Sequence, residues 1–455
     1  MKKKFLLVGF LVLVIATIAF AGGKQEPAPE TKEGTTSTAA EESKKLPEIS
    51  IIINESPWLN AFREAVSAYV KQTGNEVEVV GVPYPSLLPK SMNAVTAPES
   101  EYDIVILDEV WCNQFYSGGL VVPMEEIDPS FKFDSEVIEY NYVTRWDTNL
   151  NTNAKSGQIY GVPINGNIQI FYYREDIFNE RGLDVPQTWD ELREVSSELH
   201  DPPNTVAFAP RTAGRPDFDY QAFLHSYGGY MLEYDSAKDE WIVGINSDAA
   251  LEALKEYLFF VWNYSSGDYA NMGQAQMISL MTAGKLMMQV NVTAAAPNFD
   301  DPNASSVVDK IKASVVPGVT ATQRTPTTGI EVFSIPANLS KERQEAALTF
   351  LDWIITKKAQ LIYGKAGGIV TRQDVWQELG KDPKFWWATA VADSTEYIHG
   401  QIHVTPGGRI FESVDRLLSE AIVKDISPED MLEQAAEEIY DIMVDEGYSV
   451  RYLNE

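Results

Sequence analysis

Residues 157–192, GQIYGVPINGNIQIFYYREDIFNERGLDVPQTWDEL, decide the fold. Residues 157–163 read as a turn and a short strand closed by Pro163, which a sheet accepts at a strand edge. Residues 164–174 are apolar in both registers, with Ile168, Ile170 and Tyr172 in one and Phe171 and Tyr173 beside Gln169 in the other. A strand apolar on both sides is buried on both faces. Residues 176–182 make a short helix ended by Gly182, and Thr188 caps the next helix with Glu191 completing a capping box. Between them Asn165-Gly166-Asn167 interrupts two strands; amides around a glycine suit either a tight turn or a ligand-facing surface.

Upstream, a strand at 49–54 leads through a helix to Thr73. A second strand follows at 76–82, a helix opened by Tyr84-Pro85, and a third buried strand at 103–107. This alternation predicts a parallel sheet with covering helices, in which ligands sit beyond the carboxyl ends of the strands. Two of those ends carry acids beside a tryptophan: Glu55 with Trp58, and Asp108 and Glu109 with Trp111. Downstream, helices are predicted at 188–200, 217–227, 248–264, 274–283 and, capped by Ser340, 341–356. Strands are predicted at 206–209, 286–292, 313–316 and 330–335. The chain then turns helical, at 373–379, 384–392, 408–423 and 428–446. The fold class is α/β, with alternation in two regions rather than one.

The chain has 455 residues, enough for two or three domains, and its 44% hydrophobic content marks it as globular. A formal charge of -30, from 66 acidic and 36 basic residues, disfavours nucleic acid and anionic lipid as partners. The one cysteine, Cys112, excludes an internal disulfide and a thiolate metal cluster. Lys2, Lys3 and Lys4 precede an apolar run at 5–20 and Ala19-Phe20-Ala21, the pattern of a secretory signal peptide over residues 1–21. The run is shorter than the ~20 residues of a spanning helix; the rival reading is an uncleaved anchor. No cysteine follows it, so a lipoprotein is not expected. Residues 22–46 are almost without large apolar side chains and read as a disordered tether.

Catalytic signatures are missing: no G-x-S-x-G elbow, no Walker A loop and no G-x-G-x-x-G. His399 and His403 have metal-ligand spacing, but Gly400 and Pro406 argue against a helix there. Asp147-x-Asn149-x-Asn151 starts like a calcium loop, yet Thr152 and Gln158 stand where glycine and the closing acid belong. Pairs of acids suited to glycoside hydrolysis are common in so acidic a chain, and sequence spacing does not show their separation. No cofactor and no metal are expected.

Several motifs in order strongly resemble the sugar-binding family of extracellular solute-binding proteins of ABC importers, which includes maltose-binding protein. They are G-x-x-Y-G-V-P at 157–163, Y-Y-R-x-D-x-F at 172–178 and G-x-x-x-P-x-T-W-x-E-L at 182–192, with further likeness at 102–106, 301–318, 335–353 and 427–443. The resemblance implies a two-lobed, type II binding-protein fold with discontinuous lobes, 47–163 plus 330–371 and 164–329 plus 372–455. It also implies a carbohydrate bound reversibly in the cleft, permease subunits as partners, a monomer, an extracytoplasmic location and no enzymatic activity. By position it assigns Asp108, Glu109, Trp111, Asp217, Phe218, Asn291 and Phe411 to the ligand, with Gly329, Glu331 and Arg372 at the crossings. Asn165 and Asn167 then lie at the first hinge, and Glu55 and Trp58 join them as a strand-end cluster. The chain departs from the family where a tryptophan commonly follows the asparagine at position 291: it has Val292-Thr293-Ala294. Val370-Thr371 stands where a proline is usual, and the loop at 403–408 is also its own. A polyol or another polar solute is the alternative ligand. A phosphorylated one would want more cations than Arg211, Arg215, Arg372 and Arg409 provide. A secreted glycoside hydrolase is the reading from another class.

Overall fold

The computed structural model describes residues 46–453 apart from Pro57, Leu150, Asn151, Ser236 and Ala237. The signal segment, nearly all of the tether and any lipid anchor there lie outside the described residues, as does Asn151 of the calcium-like loop. Among the described residues no helix is long and apolar enough to cross a membrane.

The apolar strands at the head of the chain form the expected parallel unit. Ile49–Asn54 pairs in parallel with Val77–Val82 on one side and Ile104–Asp108 on the other. Val162–Arg174 is the longest strand of the sheet and is buried along most of its length, as apolar character in both registers requires. Its first half pairs antiparallel with Thr328–Pro336, which itself pairs with Ile104–Asp108. Its second half pairs with Leu286–Val292, and Ile311–Ser314 also lies against it. Leu286–Val292 carries Val206–Phe208 at the far edge. The strands therefore make one nine-stranded sheet, continued from one half of the molecule into the other by two antiparallel crossing strands.

Helices cover it where their apolar faces demand. Leu59–Thr73 buries Leu59, Phe62, Ala65, Val66 and Tyr69, a helical repeat, and stops at Gly74 with φ 76°. Trp189–Leu199 begins with the capping box read from the sequence: Glu191 N–H donates to Thr188 Oγ1 at 3.2 Å, and Glu191 Oε2 accepts from Thr188 N–H at 3.2 Å. Trp189 then stacks on Phe223 with centroids 4.0 Å apart and donates from Nε1 to Ser226 Oγ. Gly407–Ile422 sets Ile410, Phe411, Val414, Leu417 and Leu418 along one buried face.

Three details differ from the sequence expectation. Of the two readings of Asn165-Gly166-Asn167 the turn fails: the triplet does not interrupt two strands but lies inside the continuous strand Val162–Arg174. The irregularity is a bulge in this same strand: the consecutive residues Glu331 and Val332 face Asn165 and Pro163, which leaves Ile164 as the extra residue. Pro163 thus sits at a bulge, and its outer side is covered by Thr371, whose Oγ1 donates to Pro163 O at 3.0 Å. Gly166 is needed for close approach, since a Cβ there would stand 2.6 Å from Tyr140 Oη. Second, the helix Lys357–Lys365 and the sheet formed by Leu232–Asp235, Glu240–Val243 and Val450–Tyr452 had no counterpart in the sequence reading. Third, the helix expected at 384–392 is broken into Pro383–Phe385 and Ala388–Ser394.

Candidate functional site

Strand ends and crossing strands surround a cavity of about 410 Å³. Asn54 and Glu55 come from the end of Ile49–Asn54, and Asp108 from the end of Ile104–Asp108. Asn165, Asn167, Gly329 and Glu331 come from the two crossing strands. The opposite wall is Arg211, Arg215 and Phe218, around the start of helix Pro216–Ser226, with Gln274 and Ile278 of helix Gln274–Thr282. Aromatic faces are supplied by Trp58, Tyr84 and Phe218. Flat apolar faces beside carboxylates and amides are what a polyhydroxylated ligand needs, with its hydroxyl edges and C–H faces.

The acids are held in different ways. Glu331 accepts from Asn165 Nδ2 at 2.6 Å; burial, with the Asp108 charge adding to it, pushes its pKa up to about 8. Asp108 accepts from Tyr84 Oη at 2.9 Å and from Val110 N–H at 3.2 Å; burial still keeps it above the ordinary carboxylate range, against the pull of Arg215. Behind the wall, Glu109 accepts from Gln401 Nε2 at 2.7 Å, Thr328 Oγ1 at 3.1 Å and Ile330 N–H at 3.2 Å. Burial, then Asp108, push it also to about 8. The two cavity arginines are engaged. Arg215 makes a two-pronged bond to Asp217 at 2.8 and 2.9 Å and donates to Gln401 Oε1 at 2.7 Å. Arg211 lies beside Asp219 and over the Phe218 ring. Burial opposes the charge on Asp217, but Arg215 wins and holds its pKa low. Asp415, half-buried beside that anion, is pushed up.

Of the residues expected at the ligand, Glu55, Trp58, Asp108, Asn165, Asn167, Phe218, Gly329 and Glu331 line the cavity. The others do not. Glu109 and Asp217 stand behind the wall, bound as described. Trp111 stacks on Tyr84, centroids 5.3 Å apart, so the tyrosine takes the exposed place and the tryptophan backs it. Asn291 is wholly buried and closes on its own strand, donating to Gln289 Oε1 and accepting from Val292 N–H. Phe411 lies under the Arg215 guanidinium, 4.9 Å from it, and orients that arginine. Arg372 is bound to Asp374, Asp134 and the Ile355 carbonyl, away from the cavity. Among the lining residues the sequence reading missed Asn54, Tyr84, Gln274 and Gln401. Tyr84 follows the Val77–Val82 strand end and falls under the same strand-end rule as Glu55. Gln401 had no signal: it sits in a coil and reaches the site only through tertiary contacts. His399 stacks on His225 at 3.7 Å and His403 packs against Tyr142. Among the described residues no group of His, Cys, Asp or Glu could hold a metal ion.

The comparisons agree with this architecture. Residues 54–361 match the family profile of the bacterial extracellular solute-binding proteins. A putative binding protein of Brucella abortus is 24% identical over 315 residues, covering 65% of this chain and 66% of its own length. The chain thus spans about two thirds of that relative. A mannitol-binding protein of Pseudomonas aeruginosa is 22% identical over 216 residues, 46% of this chain and 47% of that one. In fold, the ribitol-bound solute-binding protein of Agrobacterium radiobacter superposes with a TM-score of 0.76 at 19% identity, covering 88% of this chain and all 100% of that one. Maltose-bound MalE3 of T. maritima gives 0.76 at 20% identity, covering 87% and 99%. A two-lobed α/β fold, a cavity walled by strand ends and crossing strands, and a profile running through most of that frame lead to one assignment: the chain belongs to the family of bacterial extracellular solute-binding proteins.

Proposed function

We propose that this protein is the extracytoplasmic receptor of an ABC importer, and that it binds a sugar or polyol reversibly, without catalysis, in the cavity between Asp108, Glu331 and Phe218. The observation that carries the reading is the wall itself, where buried carboxyls and amides alternate with aromatic faces. Relatives support the choice of ligand class, one named for mannitol, another for erythritol and L-threitol, another for maltotriose. The lobes in this proposal are 47–163 with 330–371 and 164–329 with 372–455, and the ligand-bound monomer presents its closed face to the permease. In this reading it is exported. The ligand set is Glu55, Trp58, Asp108, Asn165, Asn167, Phe218, Gly329 and Glu331, joined by Tyr84.

A thermal-shift screen over mono- and oligosaccharides and polyols tests this, since a solute that binds only the native state raises Tm. A hit in the wild type and its loss in Asp108→Asn and Phe218→Ala are expected. Turnover of an oligosaccharide by the pure protein would refute the reading.

A further inference from the structure

We propose that Asn54, Asp108, Asn165 and Glu331 form an ammonium subsite, so that the solute is a sugar or polyol carrying a protonated amine. This rests on the receptor reading above and narrows its substrate class.

Strand register builds the subsite. Glu331 stands directly opposite Asp108 on one neighbouring strand and opposite Asn165 on the other. Side chains so placed have Cβ atoms about 4.5–5.5 Å apart, and like charges there repel. Among the described residues no cation lies within ion-pair distance of either carboxyl, and Arg215, whose charge reaches Asp108, is committed to Asp217 and Gln401. Two acids are therefore set side by side at a cavity wall with no cation of the described residues paired to either, and a proton held on Glu331 relieves their repulsion in the empty site.

The hydrogen-bond inventory points the same way. Asn165 gives its amide N–H to Glu331, which leaves its Oδ1 facing no donor, although the residue is only 1% exposed. Asn54 Oδ1, on a residue 7% exposed, is likewise without a partner. A buried acceptor without a donor is costly and rare in a native protein. The corner thus holds a surplus of acceptors. A hydroxyl brings one donor and two lone pairs, whereas an ammonium brings three donors, a positive charge and no acceptor. A metal ion is the other species that meets such a demand, but among the described residues no three His, Cys, Asp or Glu side chains come together there to hold one. Trp58 and Tyr84 complete the surroundings with faces that attract a cation and cover sugar C–H groups.

The acid–base state supplies a signature. Glu331 is held up at about 8 by burial and by Asp108; Asn165 and Asn54 oppose that shift, and Tyr84, Tyr363, Glu55 and Arg215 are further ionisable groups around the corner. A cation arriving there favours the carboxylate, so an amine ligand drives a proton out, and a neutral one does not.

Titration calorimetry on the full chain tests this with matched probes: glucose, glucosamine and N-acetylglucosamine, and glucitol with 1-amino-1-deoxyglucitol. At about pH 6, where the amines are charged, the amine of each set is expected to bind about tenfold tighter or more than its neutral partners. Its heat should vary with the ionisation enthalpy of the buffer, reporting proton release. Glu331→Gln should remove the preference. A neutral member binding as tightly as its amine overturns the subsite and leaves the receptor reading standing. Failure of every amine and every neutral solute, in this series and in the thermal screen, takes both down. The wild-type preference decides the matter even if the variant does not fold.

Discussion

Glu331 shows what one side chain contributes and costs. Its carboxyl is moved from an ordinary 4.5 to about 8, first by burial, and Glu109 is moved equally far. A carboxyl whose pKa is higher folded than unfolded binds its proton more tightly in the native state. Its stabilising contribution is therefore complete below about 4.5 and is lost as pH rises toward 8, at up to roughly 1.4 kcal/mol per pH unit for each group. Asp415, also pushed up, works in the same direction; Asp217, held low, titrates below this window. Buried His225 and His403, pushed down to about 3 and about 4, work the other way up to about pH 6.5, so urea unfolding of the ligand-free protein should show stability falling from about pH 6.5 to about pH 8, with a flatter slope in Glu331→Gln. A wild-type curve that rises over that range would show these carboxyls to be ionised in the empty cleft.

At the scale of elements, the most legible signals were local ones. The capping box at Thr188 and Glu191 is written in three residues and appears as written. Thr188→Ala removes the side-chain acceptor for Glu191 N–H while Trp189 keeps its backbone bond to Gly318 O. The expected cost is about 1 kcal/mol, read as a lower urea midpoint at unchanged slope. Strand 286–292 and helices 248–264 and 373–379 fell where their periodicity put them, because each has one apolar pattern and clear punctuation. What stayed hidden depends on partners distant in the chain. Asn165-Gly166-Asn167 has the composition of a turn, yet pairing with Thr328–Pro336 holds it extended and tertiary contact with Tyr140 explains its glycine. Half-site logic had the same limit. Strand ends led to Glu55, Trp58 and Asp108, but which of two adjacent residues faces the cavity is set by the local turn, and so Tyr84 stands in front of Trp111. Position alone could not tell that Arg372 and Asn291 would be consumed by bonds to Asp134, Asp374 and Gln289.

For the whole molecule, the decisive feature is that a single sheet runs through both halves, so relative motion has to be absorbed by the crossing strands. The register shift between Glu331 and Val332 is where the returning strand departs from regular pairing, and it borders the cavity. Across it runs a chain of bonds from Asp217 through Arg215 and Gln401 to Glu109 and Thr328, which joins the aromatic wall to the crossing strands. A solute that touches both walls favours whichever arrangement brings them together, and hinge closure around a ligand is how periplasmic binding proteins work. Its effect is then double. At a free concentration about 100 times Kd the native state gains about 2.7 kcal/mol, which for a chain of this size is a Tm rise of about 3 °C. Small-angle X-ray scattering on the same sample should show a smaller radius of gyration than without ligand. Every solute that raises Tm by that amount is expected also to shrink the radius of gyration at saturation. A solute that raises Tm by that amount with no change in the scattering curve would mean that binding stabilises one wall alone, and that the crossing strands do not act as a hinge.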